Sequence, residues 1–271
     1  MAEDKKPEMS FLQHLEALRW HLVRSAAAIM VLAGVLFCYK DFVFDTVIFG
    51  PMHSDFLTYK GLCKLSHITG LGETLCMQSI SFSLINIDLS GQFTSHIWVS
   101  LIGGLMVGSP YVLWELWRFI SPALHEKERK YTTGVVFFAS ILFIAGVLFS
   151  YYIIIPMTIN FLGNYQVSPL VKNTISMDSY ISTVTILTLI MGLVFELPIV
   201  IFFLTKIGIL GPAFMRKHRR YAIVIILIIG AVITPTSDIP TLLIVSTPLY
   251  LLYEVSIFVS KYAEKKNGSS S

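Results

Sequence analysis

Between residues 131 and 171 the chain carries no Asp, Glu, Lys or Arg. A helix on the surface of a soluble protein keeps a polar face, so an uncharged run of that length has no place there. The same pattern recurs at 25–39, 89–114, 179–195, 221–237 and 239–253. Spanning a bilayer as helix takes about 20 predominantly apolar residues. The runs predict six membrane helices, near 20–39, 93–116, 132–156, 179–205, 221–234 and 239–260. The expected fold is an all-α integral membrane protein, one six-span domain over 1–271. Charged residues make up 14%, against about 25% for a soluble domain, which also argues against a disordered chain, a coiled coil or a nucleic-acid binder.

The first run is not read as a cleaved signal peptide. An amphipathic stretch, 11–19, precedes it, and no small-residue cleavage site follows Tyr39. Basic residues set the expected orientation. Lys5, Lys6, Arg19 and Arg24, then Arg118, Lys127, Arg129 and Lys130, then Lys206, Arg216, Lys217, Arg219 and Arg220, then Lys261, Lys265 and Lys266 fall on one side. Only Lys40, Lys60, Lys64 and Lys172 fall on the other. Sixteen of twenty on one side predicts that both termini are cytoplasmic. The last two spans read as short. Residues 221–233 would make only about 20 Å of helix, and the turn between them, ITPTSDIP, is tight.

The loop 40–92 is the one sizeable extramembrane piece. Residues 41–49 mix apolar and acidic side chains, as a surface-lying segment would, and Gly50-Pro51 breaks them. Residues 79–85 alternate weakly, as a strand does. Cys63 and Cys76 lie in this loop and Cys38 at the end of the first span. Spacing leaves a Cys63–Cys76 disulfide and two free thiols equally open.

Several chemistries lack their residues. There is no phosphate loop of the form GxxxxGK[ST], no HExxH, no CxxC and no GxSxG elbow. The seven histidines scatter over loops and span ends. His14 and His21 alone share spacing and a face, and read as solvated interface residues. No metal, cofactor or catalytic constellation is expected.

Glu196 is the polar residue that most needs explaining. It lies inside the fourth span in Phe-Glu-Leu-Pro, two residues before Pro198. A carboxylate at a span centre costs about 2.5 kcal/mol or more to insert. It has to face a cavity, find a partner or stay protonated. Thr183, Thr185 and Thr188 add hydroxyls to the same helix. Glu115 and Glu254 read as structural or interfacial. Asp238 reads as the cap of the last helix. The segment WRFISPALHEKERK ends one helix at Pro122 and starts another with acids first, as the helix dipole prefers. It is open to two readings: a solvated helix start, or an acidic docking point for a cationic peptide.

Four features together resemble the TatC family, the multispanning receptor subunit of the twin-arginine protein translocase. They are SFLQHLEALR before the first span and Gly50-Pro51 after it. They are also WRFISPALHEKERK, and FELP followed by a TPxxD turn between the last two spans. The likeness covers about 10–260. It implies a concave, cupped six-helix bundle with a wet hollow near the buried acid, and no cofactor. It implies recognition of the arginine pair in signal peptides of folded cargo. TatA and TatB, each single-span, are the implied partners, with homo-oligomers in the receptor complex, a bacterial inner-membrane location and transport driven by the proton motive force. The family's loop glutamate matches Glu128, its loop phenylalanine Phe119, its N-terminal arginine Arg19, its intramembrane glutamate Glu196 and its outer-turn aspartate Asp238. Pro51 follows the first span as in the family. One position departs: the family's HLxELR puts Glu where this chain has Ala17. Glu16 stands one residue earlier, about 100° around the helix. A carrier working through Glu196 and an intramembrane hydrolase are the rival classes. The first lacks a visible repeat, and the second lacks its catalytic residues.

Overall fold

The structure is a computed structural model describing residues 11–68, 82–120, 132–168, 170, 173–234 and 238–268. Helix α1, Phe11–Cys38, takes in the amphipathic stretch and the first span without a break. A π-helical segment, Phe42–Ile48, and a 3-10 turn, Gly50–Met52, follow. Helix α2, Leu57–Ile68, comes next. Strand β1, Ser83–Ile85, leads into α3, Gly91–Ile120. The third span is α4, Thr132–Phe149, a π-turn at Ser150–Ile154, and α5, Ile155–Asn164. Strand β2, Thr174–Ser176, pairs in parallel with β1 and leads into α6, Met177–Phe195. Then come α7, Leu197–Lys206, α8, Pro212–Lys217, α9, Arg219–Ile233, and α10, Ile239–Gly268.

Among the described residues, five helical stretches are long and apolar enough to cross a membrane: Leu15–Cys38, Gly91–Ile120, Gly134–Asn164, Met177–Lys206 and Ile239–Tyr262. With α9 they make a six-helix membrane bundle. The fifteen residues of α9 give about 22 Å of helix, short of a ~30 Å hydrocarbon core. The last span is not short, contrary to the sequence reading: α10 begins at Ile239 and runs on through Gly268. No proline or glycine stops it before that final residue, and Pro248 is accommodated inside the helix.

The helices approach closely through small residues, as membrane helices do. A Cβ on Gly104 of α3 would stand 2.8 Å from the α1 backbone at Ile29 and Ala33. A Cβ on Gly146 of α4 would stand 2.5 Å from the Met191 carbonyl of α6. Two apolar cores result. Val43, Ile48, Val99, Ile155, Ile159 and Ile181 build the one beneath the long loop. Ile154, Leu187, Met191, Ile226, Val245 and Leu249 join α6 to α9 and α10. The π-turn in the third span has a local cause. Pro156 cannot donate to the carbonyl four residues back and its ring crowds that carbonyl. That carbonyl belongs to Tyr152, and the Thr58 hydroxyl of α2 donates to it instead.

Candidate functional site

At the end of the bundle where α1 begins and α3 finishes, a buried carboxylate joins the two helices. Glu115 is 1% exposed. His21 of α1 hydrogen-bonds its Oε2 through Nδ1. The Tyr111 hydroxyl donates to Oε1 at 3.0 Å, and Arg118 reaches the same oxygen at 3.5 Å. Tyr111 and Arg118 flank Glu115 at four and three residues, the spacing that shares a helix face. The Arg118 guanidinium also lies 4.8 Å from the Trp114 ring centroid, a cation–π distance. Phe119, one turn beyond Glu115 on α3, also meets His21, ring to ring edge-on at 6.1 Å. Ala17 precedes His21 by one helical turn on the same face of α1. The sequence-predicted residues Ala17, Arg19 and Phe119 are thus gathered at one end, with Arg19 exposed and Phe119 and Ala17 half-buried. Glu128 lies outside the described residues.

Glu196 sits elsewhere, at the one-residue joint between α6 and α7. Its φ of −76° and ψ of −5° leave the helical run there, two residues ahead of the proline that cannot complete it. Glu196 is 8% exposed, and its Oε1 has no hydrogen-bond partner among the described residues. The threonine hydroxyls of α6, about two to four turns away, do not supply one. Thr183, Thr185 and Thr188 each donate back to the carbonyl four residues earlier, at 2.8, 2.8 and 2.7 Å. Thr185 also accepts from the Trp98 indole at 3.1 Å. A buried carboxyl oxygen without a partner costs free energy.

The opposite end of the bundle holds Pro51 and Asp238. Pro51 is buried in the 3-10 turn. Tyrosines fix the elbow around it: Tyr59 donates to the Pro51 carbonyl, Tyr180 to that of Ile48 and Tyr151 to that of Val47, all at 2.8 Å. Burial pushes the Tyr59 phenol up to about 12, so it remains a donor at any physiological pH. Asp238 accepts the Thr241 backbone N–H at 2.8 Å through Oδ2, the geometry of a helix N-cap. Cys63 is disulfide-bonded and Cys38 is a free thiol. Cys76, the remaining cysteine, lies outside the described residues.

The site residues therefore divide into an end cluster, a mid-bundle acid and an outer elbow. The sequence reading missed the His21–Glu115 contact. It set His21 aside as a solvated interface residue and Glu115 as structural or interfacial, without joining the two. The signal available was the row Tyr111, Glu115, Arg118 on one helix face inside an apolar span. What that row lacked was any sign of the residue on α1 that completes it.

These features define a polytopic α-helical membrane protein with a polar seam between its first two spans. The family described as Sec-independent protein translocase protein (TatC) matches residues 13–248. A TatC of a Blattabacterium from Periplaneta americana is 38% identical over 97% of this chain and 99% of its own length. Bacillus subtilis TatCy is 33% identical over 100% of this chain and 96% of its own. A crystal structure described as the twin arginine translocase receptor TatC superposes with a TM-score of 0.68 at 32% identity. That comparison covers 93% of this chain and 99% of the other. The chain belongs to the TatC family and is a component of the Sec-independent protein translocase.

Proposed function

We propose that this chain is the receptor and core subunit of the translocase. It binds the arginine pair of signal peptides on folded precursors and assembles with TatA and TatB. It carries cargo across the bacterial inner membrane at the expense of the proton motive force, without catalysing a reaction of its own. Both termini face the cytoplasm, several copies associate in the receptor complex, and a wet hollow lies beside Glu196. The observation that carries the reading is the seam at His21 and Glu115. It holds Arg19 and Phe119 at the same end of the bundle, next to the segment that continues to Glu128. Arginine forms bidentate, charge-assisted hydrogen bonds with carboxylates, so an arginine pair needs acids at that end. Glu128 supplies one, and Phe119 offers an apolar rim for the residues flanking the pair. Glu196 receives a polar group from a partner span.

The test is peptide capture by the purified chain in detergent. Glu128→Lys should abolish capture of a twin-arginine peptide, because a charge-assisted bond worth about 1.5–3 kcal/mol is replaced by repulsion. A twin-lysine peptide should bind the unaltered chain more weakly, since an ammonium cannot make the planar fork. Equal capture of both peptides, or full capture by Glu128→Lys, would remove Glu128 from the site.

A further inference from the structure

Arg24 is an exposed residue on α1, with no hydrogen bond or ion pair to another described residue. Its depth makes that notable. Helix α1 ends at Cys38, fourteen residues further on, or about 21 Å of helix. That falls short of a ~30 Å hydrocarbon core. The guanidinium therefore starts below the headgroup plane and has to extend outward to reach polar surroundings.

Arg24 also heads a shallow, open groove between α1 and α3, lined by Arg24, Ala27, Ala28, Val31, Leu32 and Tyr111. Ala28, Val31 and Leu32 follow Arg24 at four, seven and eight residues, so they continue its face along the helix. The two alanines leave the floor of the groove low. Trp20, one turn before Arg24, is 55% exposed, as an indole at the headgroup level is. The order along one helix face is thus indole, guanidinium, small-residue floor, aliphatic wall.

We propose that this groove is a binding site for one anionic phospholipid. The phosphate pairs with Arg24, the headgroup lies against Trp20, and an acyl chain runs over Ala27 and Ala28 toward Val31 and Leu32. A second apolar membrane helix fits less well. From Arg24 to Leu32 is about 12 Å of helix, less than half of a bilayer crossing, and an apolar helix would cover the guanidinium without pairing it. A phospholipid supplies both the anion and the apolar tail. The groove borders the seam through Tyr111, but the Glu115 carboxylate is not the anion for Arg24, because it is engaged by His21, Tyr111 and Arg118.

The experiment is native mass spectrometry of the full chain released from vesicles of phosphatidylcholine with and without phosphatidylglycerol. The unaltered chain should retain one phosphatidylglycerol in preference to phosphatidylcholine. Arg24→Gln should weaken that retention about fivefold, the worth of one basic group at an anionic surface. Arg24→Lys should keep most of it. Ala28→Trp, which fills the groove and leaves Arg24 in place, should lose it. Thermal unfolding in lipid-free detergent checks that each variant is folded. Should Arg24→Gln not fold, the comparison of Ala28→Trp with the unaltered chain decides. Equal retention of the two lipids, or unchanged retention in the folded variants, would overturn the site. So would a photoreactive side chain at Val31 that captures polypeptide instead of lipid in native membranes.

Discussion

The family motif that the sequence resembles would put a carboxylate at position 17, where this chain has Ala17, and under the proposed function that carboxylate would meet a guanidinium of the peptide. Glu16 is exposed but turned about 100° away. Helix α1 is regular through this region, so nothing in the backbone swings Glu16 back. Ala17→Glu is therefore expected to tighten twin-arginine peptide binding. One charge-assisted bond at a half-exposed position should give about tenfold at low salt. The gain should fade as salt is raised to physiological strength, where the screening length is about 8 Å. It should shrink when Glu128 is also replaced by Ala, since two acids holding one peptide segment are not additive. A titration of the four combinations at two salt concentrations checks it. No gain at low salt would mean that other groups in this chain read the arginines. Glu115 is not available as such a group without breaking the seam, because three donors already occupy it.

The joint between α6 and α7 is the element most open to a functional test. Proline at 198 interrupts the helix in the middle of a crossing, and Glu196 fills the gap with an unpartnered carboxyl oxygen. Glu196→Ala should leave insertion and the helix break intact, because the proline remains and a costly polar group is gone. Transport and cross-linking to a partner span should fall. Glu196→Gln should be milder, since an amide both donates and accepts. Normal export and unchanged cross-links in Glu196→Ala would refute the role. The joint itself was legible beforehand, because an acid and a proline two residues apart stand out against an apolar run. Helix α2 was not. Residues 57–68 include two lysines and have a low mean hydropathy, and Thr58 and Tyr59 matter through what they meet on other segments, Tyr152 for the one and Pro51 for the other. The pairing of β1 with β2 joins residues some ninety positions apart, and three-residue strands carry too few side chains to announce a partner. The π-turns leave no periodic trace at all.

At the scale of the whole molecule, the six-helix count was legible from uncharged length alone, while the seams between helices were not. Hydrophobic runs fix how many times the chain crosses, and they are silent on which faces meet. The orientation of the bundle is a prediction from charge. A cysteine replacing Lys217 should react with a membrane-impermeant thiol reagent from the cytoplasmic side only, with Cys38 replaced by Ser to remove the free thiol. Labelling from the outer side would invert the topology. The structure ties the basic end together independently of that sign. Arg219 at the start of α9 donates to Glu254 of α10 at 2.7 Å, and the Tyr253 hydroxyl donates to the Met215 carbonyl at 2.8 Å.

Helix α1 keeps little of its surface inside the protein. Its most apolar stretch is almost wholly outward-facing, and α3 is the neighbour against which it chiefly packs. That bears on how the chain is made. The first helix leaves the ribosome long before Glu115 is synthesised, with the whole loop in between. It is apolar enough to settle in lipid alone, but His21 has no carboxylate to meet until α3 arrives. The seam thus closes only when the second crossing is complete, after His96 has met Phe37 and Gly104 has met Ile29 and Ala33. A nascent chain halted before Gly91 would hold an inserted first helix with none of the α3 residues that dock on it.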